Sequence, residues 1–165
     1  MRALISFVLF VGISSAASAQ AIQRIEIADS GIYGAAGRMN TRNEPGSTAG
    51  TVSVGSVPAL VEATTTIPAT VGVKFGFRFR AFGSAGGLVR LKYVTLVPQP
   101  GIRDPKTGMT KTRGEYLEPV MIGGMEFMGF SFDQSWEIAL GTWTFELWDG
   151  DRKLASQSFN IIAPH

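Results

Sequence analysis

The chain has 165 residues, 15 Lys and Arg against 13 Asp and Glu, one histidine and no cysteine. That composition excludes thiol catalysis, disulfide staples and Cys-based metal sites. Its calculated pI of 9.2 hints at an anionic partner, but Arg2 belongs to a segment expected to be removed, leaving 14 cations and 13 anions, so no global basic field remains.

Residues 1–19, "MRALISFVLFVGISSAASA", combine an early cation at Arg2, an apolar run from Ala3 to Ile13 and a small-residue end at Ala17-Ser18-Ala19. This pattern predicts a secretory signal peptide cleaved after Ala19 and a periplasmic or secreted protein. The run is too short for a membrane span of roughly 20 residues, and no later segment approaches that length. Removing nineteen of 165 residues leaves 146, a size that suits one domain over 20–165.

Beyond Gln20, short β-rich runs recur between Gly, Pro, Asn and Ser clusters, with no sustained 3.6-residue period. A first strand is expected at Ile22 to Asp29, with Ile25 and Ile27 on one face, continuing after a bend into "GIYGAAG". Arg38 to Gly55 is polar and poor in large apolar side chains, so a mobile loop is expected. "VKFGFRFRAF", Val73 to Phe82, alternates with a period of two: Phe75, Phe77, Phe79 and Ala81 share one face, Lys74, Arg78, Arg80 and Phe82 the other. Its expected hairpin partner is "LVRLKYVTLV", Leu88 to Val97, through the turn "GSAGG", with Val89, Leu91, Tyr93 and Val97 inward and Arg90 and Lys92 outward.

Pro98 to Tyr116 is rich in Pro, Gly and charge and is expected to be an irregular, functional loop. Strands follow around Tyr116 to Ile122 and Glu126 to Asp133, and then a closing pair. In that pair Trp143, Phe145 and Leu147 share a face, Asp149-Gly150 suits a tight turn, and the return strand runs Lys153 to Ile162. Leu154 and Phe159 have opposite parity, so both reach the core only through a bulge. About seven short strands without crossover helices predict an antiparallel immunoglobulin-like β-sandwich, with a small β-barrel as the alternative.

The blocks "IPATVGVKFGFRFRAFG", "VPQPGIRDPKTG" and "WEIALGTWTFELWDGDRKLASQSFNI" resemble the signature of a family of exported Gram-negative bacterial proteins known only as a domain of unknown function. The resemblance spans roughly Ile67 to Ile162 and implies an exported β-rich domain; it implies no reaction and no catalytic residues.

Catalytic arrangements find little support. The one histidine, His165, is the last residue, where a pre-organised base is not expected, and no G-x-S-x-G elbow occurs. Asp149 and Asp151 read as turn residues. A carboxylate-dependent hydrolase using Glu115, Glu118, Asp133 or Glu137 is the alternative from another class. A Met-based copper binder is a third, since Met121, Met125 and Met128 crowd eight residues, although Met125 and Met128 have opposite strand parity. No cofactor is expected. The candidate ligand-binding residues are the outward cations Lys74, Arg78, Arg80, Arg90 and Lys92, together with Trp148, whose parity places it outside the core. They suit an anionic or glycan ligand or an envelope protein. Nucleic acid is not expected as a partner, because the net charge is small and no recognition motif is present. The reading is an uncharacterised, non-catalytic binding or interaction module of the bacterial envelope.

Overall fold

A computed structural model of the chain describes residues 22–34, 39–83 and 87–164. The expected signal peptide and His165 lie outside the described residues. The strands in chain order are β1 (Arg24–Tyr33), β2 (Met39–Asn43), β3 (Thr51–Gly55), β4 (Leu60–Glu62), β5 (Thr66–Pro68), β6 (Lys74–Phe82) and β7 (Leu88–Leu96). There follow β8 (Ile102–Arg103), β9 (Thr110–Lys111), β10 (Arg113–Met121), β11 (Met125–Ser131), β12 (Gly141–Asp149) and β13 (Arg152–Ile162), with one 3-10 turn at Ser135–Glu137.

Nine strands form two stacked sheets, one ordered β11-β6-β1-β4 and the other β10-β7-β12-β13-β5; β2-β3 and β8-β9 are separate ribbons. The architecture is the expected β-sandwich rather than a closed barrel. Neighbouring strands run antiparallel except β13 and β5, which pair parallel through Asn160–Thr66 and Ile161–Ile67. No helix among the described residues is long and apolar enough to cross a membrane.

Phe75, Phe77, Phe79 and Ala81 of β6 are fully buried and face Leu91 and Tyr93 of β7 across the interlayer, with Phe79 and Tyr93 rings 6.2 Å apart. Here the structure corrects the expected hairpin: β6 pairs with β1 and β11, whereas β7 pairs with β10 and β12. Each of the two strands has one mainly apolar face and has neighbours on both edges, so the chain changes sheet between Phe82 and Leu88 and the apolar faces meet instead of the edges.

With no cysteine to staple the layers, aromatic packing takes that place. Phe75 is ringed by Phe132, Phe145, Phe159 and Trp143 at centroid distances of 5.2, 5.5, 5.5 and 5.8 Å. Tilted and edge-on pairs of this kind add about 0.5–1.5 kcal/mol each beyond their area burial. Trp143 buries its indole without an orphan donor, because Nε1 donates to the Ala139 carbonyl at 2.8 Å.

Bulges on β13 and β1 set the faces. On β13, Leu147 pairs with Ala155 but Trp148 pairs with Lys153, so Leu154 is the extra residue. That insertion lets both Leu154 and Phe159 pack against the core despite their opposite parity. Gly150 takes φ +57° in the β12–β13 turn, where Asp149 pairs with Arg152 at 3.2 Å. On β1, Ile27 pairs with Phe79 and Asp29 with Arg78, leaving Ala28 unpaired. Asp29 shares the parity of Ile25 and Ile27, and without this bulge its carboxylate would enter the core.

The expected mobile loop is ordered over its described part, 39–55, where β2 and β3 pair from Met39–Gly55 to Asn43–Thr51. Polar chemistry holds the ribbon to β9 and β10. Glu115 N donates to the Gly46 carbonyl at 2.8 Å, Lys111 Nζ donates to the carbonyls of Pro45 and Ser47 at 2.6 and 2.7 Å, and Arg42 pairs with Glu118 at 2.7 Å. The backbones touch closely: a Cβ on Gly114 would lie 2.4 Å from Thr48 N. The Pro98 to Tyr116 segment is also more regular than expected, containing the β8–β9 ribbon, the start of β10 and the buried Ile102.

Candidate functional site

A cleft of about 790 Å³ lies at one end of the sandwich, where the tip of the β2–β3 ribbon, the β8–β9 loop and the 3-10 turn converge. A narrower recess beside it, lined by Lys74, Thr95, Tyr116 and Ser131, shares Thr48, Ala49, Thr51, Asp133 and Glu137 with the cleft as a common wall.

Local sequence shapes each wall. Asp104 stabilises the β8–β9 loop, accepting from Lys106 N at 2.8 Å and from the Thr107 hydroxyl at 3.0 Å. Glu137 is only 5% exposed and fastens the 3-10 turn, because one carboxylate oxygen accepts from Asp133 N at 2.7 Å and Gln134 N at 2.8 Å. Burial pushes the Glu137 carboxyl above its ordinary value against the pull of those two amides, and the nearby Asp133 charge pushes it the same way. Burial likewise lowers Lys74, opposed by the attraction of Asp133. Trp136, half-buried between these groups, lines the cleft beside Gln134 and Asn43. The arrangement offers an aromatic surface and several planar hydrogen-bonding side chains, suited to an uncharged or zwitterionic polar ligand.

The cationic face expected on one hairpin is divided. Lys74, Arg78 and Arg80 stand on the four-stranded sheet, and Arg90 and Lys92 on the five-stranded sheet, so they do not form one patch. Arg78 is engaged bidentately by Asp29, with Nε donating to Oδ1 at 2.9 Å. Trp148 lies between Lys92 and Lys153, whose ammonium groups stand 5.5 and 5.3 Å from its ring, and its Nε1 donates to Glu146 at 2.9 Å. Lys74 is the one member of the set that also lines the recess.

Of the four acids considered for hydrolysis, Glu115 pairs with Arg113 at 2.9 Å and Glu118 with Arg42. Asp133 and Glu137 stand together in the cleft. The methionines lie on different surfaces: Met128 is in the core, Met121 is 44% exposed, and Met125 is opposite Arg80 on β11. Sequence reasoning passed over Asn43, Thr48 and Thr107. The available signal was that the two longest polar, glycine-bearing segments carry few large apolar side chains, which is where ligand-facing residues can accumulate.

Two stacked, mainly antiparallel sheets with the site at one end define an immunoglobulin-like β-sandwich. The chain belongs to the family called domain of unknown function DUF3859, whose profile matches residues 22–161. It is similar to the crystal structure of an immunoglobulin-like protein, PA1606, from Pseudomonas aeruginosa, with a TM-score of 0.61 and 23% identity over 86% of this chain and 99% of that one. At that identity the likeness shows the fold alone. No curated protein matches the chain.

Proposed function

We propose that this is an exported, non-catalytic binding module of the bacterial envelope whose end cleft receives a glycan. Export is supported by the apolar N-terminal segment ending in Ala17-Ser18-Ala19. The observation that carries the ligand class is the cleft itself: Trp136 supplies a face for a sugar ring, while Asn43, Gln134 and Asp133 supply planar donors and acceptors around it. A fold alone does not fix a function, so the proposal rests on this site. Titrating purified protein with envelope oligosaccharides by calorimetry should give saturable binding that Trp136→Ala removes. Equal binding by wild type and variant would sink the assignment of the cleft.

A second reading is favoured by one observation, the burial-raised carboxyl of Glu137 beside Asp133. In a hydrolase, Glu137 would donate a proton to the leaving oxygen and Asp133 would act as base or nucleophile. The two hydrogen bonds it accepts from the Asp133 and Gln134 backbone amides hold Glu137 as a structural brace, which favours binding over turnover. Prolonged incubation with the same oligosaccharides decides: cleavage that Glu137→Gln and Asp133→Asn both abolish supports the hydrolase, and intact oligosaccharide supports the binding module.

A further inference from the structure

A third concavity, which shares Val52, Ser53, Tyr116 and Phe127 with the recess but no residue with the end cleft, lies beneath β3 and the segment that follows it. It is a slot of about 120 Å³ lined by Tyr93, Tyr116, Phe127, Glu118 and Glu126, with Val54 of the ribbon and Pro58 beyond it. A single water needs roughly 10–15 Å³ of such space, so the slot has room for a small ligand group.

Its polar groups are unevenly satisfied. Tyr93 is only 3% exposed, yet its hydroxyl has no hydrogen-bond partner among the described residues. No fully enclosed side-chain oxygen or nitrogen among the described residues lacks a partner, so that hydroxyl must open onto the slot. Glu118 is already neutralised by Arg42 at 2.7 Å. Glu126 accepts only from Met121 N, at 2.9 Å through one oxygen, and forms no ion pair among the described residues. Glu126 is therefore a carboxylate without an ion-pair partner among the described residues, beside three aromatic rings.

We propose that this slot binds a primary ammonium group carried on an alkyl chain, with Glu126 as its counter-ion, the Tyr93 hydroxyl as a hydrogen-bond acceptor, and the rings of Tyr93, Tyr116 and Phe127 as its walls. An ammonium has three donors and no acceptor, which complements a carboxylate and phenol oxygens. Aromatic faces attract a cation, and more strongly where water is excluded. The rise of the Tyr93 phenol, caused first by burial and then by Tyr116, Glu126 and Glu118, places both carboxylates near enough to disfavour an anion here. A metal fits less well, since no group of three His, Cys, Asp or Glu side chains occurs among the described residues.

The test is an amide-resolved NMR titration of the purified protein with n-butylammonium chloride at constant ionic strength, beside sodium chloride and n-butanol. Saturable shifts confined to Tyr93, Tyr116, Glu126 and the facing ribbon are expected from the amine alone. Glu126→Gln, whose carbonyl can still accept from Met121 N, should weaken binding at least tenfold. Tyr93→Phe should weaken it severalfold, and Trp136→Ala in the end cleft should leave it unchanged. Butanol matching the amine, or Glu126→Gln binding as wild type, would overturn the proposal. Putrescine and Nα-acetyl-lysine methylamide then separate the sources: tighter putrescine binding assigns a polyamine, and tighter lysine binding assigns a lysyl side chain.

Discussion

Asp29 and Arg78 face each other across β1 and β6 as a bidentate ion pair, with the Tyr33 hydroxyl donating to the same carboxylate at 2.6 Å. The pair exists because Ala28 bulges from β1 and turns Asp29 away from the core. The side-chain hydrogen bond from Arg78 is the main cause that holds the Asp29 carboxyl below 3.8, aided by Tyr33 and opposed by burial. A depressed carboxyl contributes stability above its unfolded value that is lost as pH falls through the folded value. Asp29→Asn should cost about 1–3 kcal/mol at pH 7. In urea denaturation, the gap between wild type and variant should close as pH is taken from 5 to well below 3.8.

The ribbon depends on close backbone approach at Gly114 and Gly46. A Cβ on Gly46 would meet the Glu115 carbonyl oxygen at 2.3 Å, and one on Gly114 would meet Thr48 N at 2.4 Å. Gly114→Ala should displace the ribbon from β10 at a cost of about 1–3 kcal/mol. Hydrogen exchange should then accelerate across β2, β3 and the Glu115 amide, while β12 and β13 keep their protection.

Glu137 separates a charge effect from a hydrogen-bond effect. Its folded value is raised above 4.5, chiefly by burial, so its ionisation opposes folding as pH rises through that range. Glu137→Gln keeps an acceptor for Asp133 N and Gln134 N and should be at least as stable as wild type at pH 7, with the advantage vanishing below the unfolded carboxyl value. Glu137→Ala loses the acceptor and should cost about 1–3 kcal/mol. Thermal melts of the three proteins at pH 3.5 and pH 7 read both effects.

Phe75 joins the layers, touching rings contributed by β11, β12, β13 and the segment after β11. Phe75→Ala should cost about 3–5 kcal/mol, and Phe75→Leu much less because it refills most of the cavity. Trp143→Phe should be milder than Phe75→Ala, since removing the indole N–H leaves only the Ala139 carbonyl without its donor. Chemical denaturation followed by the remaining tryptophans measures all three.

The sequence by itself determined which residues of β6, β7 and β12 turn inward, the Asp149-Gly150 turn, the need for a bulge somewhere in the return strand, and the sandwich class; only the structure placed that bulge at Leu154. A period-two alternation reports the face of a residue directly, because successive Cβ atoms point to opposite sides. It carries no information about which strand lies alongside, so only the tertiary structure decided that β6 and β7 belong to different sheets and that Arg78 and Arg90 share no surface. The β2–β3 ribbon escaped notice for a related reason. Its docking rests largely on Arg42, Gly46 and Ser47 meeting Glu118, Glu115 and Lys111, polar partners more than 60 residues away along the chain. The end cleft and the slot likewise draw their walls from segments distant along the chain. Asp133, Glu137 and Tyr93 were visible as residue types, but the packing that buries Glu137 and opens the Tyr93 hydroxyl onto a slot arises only when the ribbons close over the ends of the sheets.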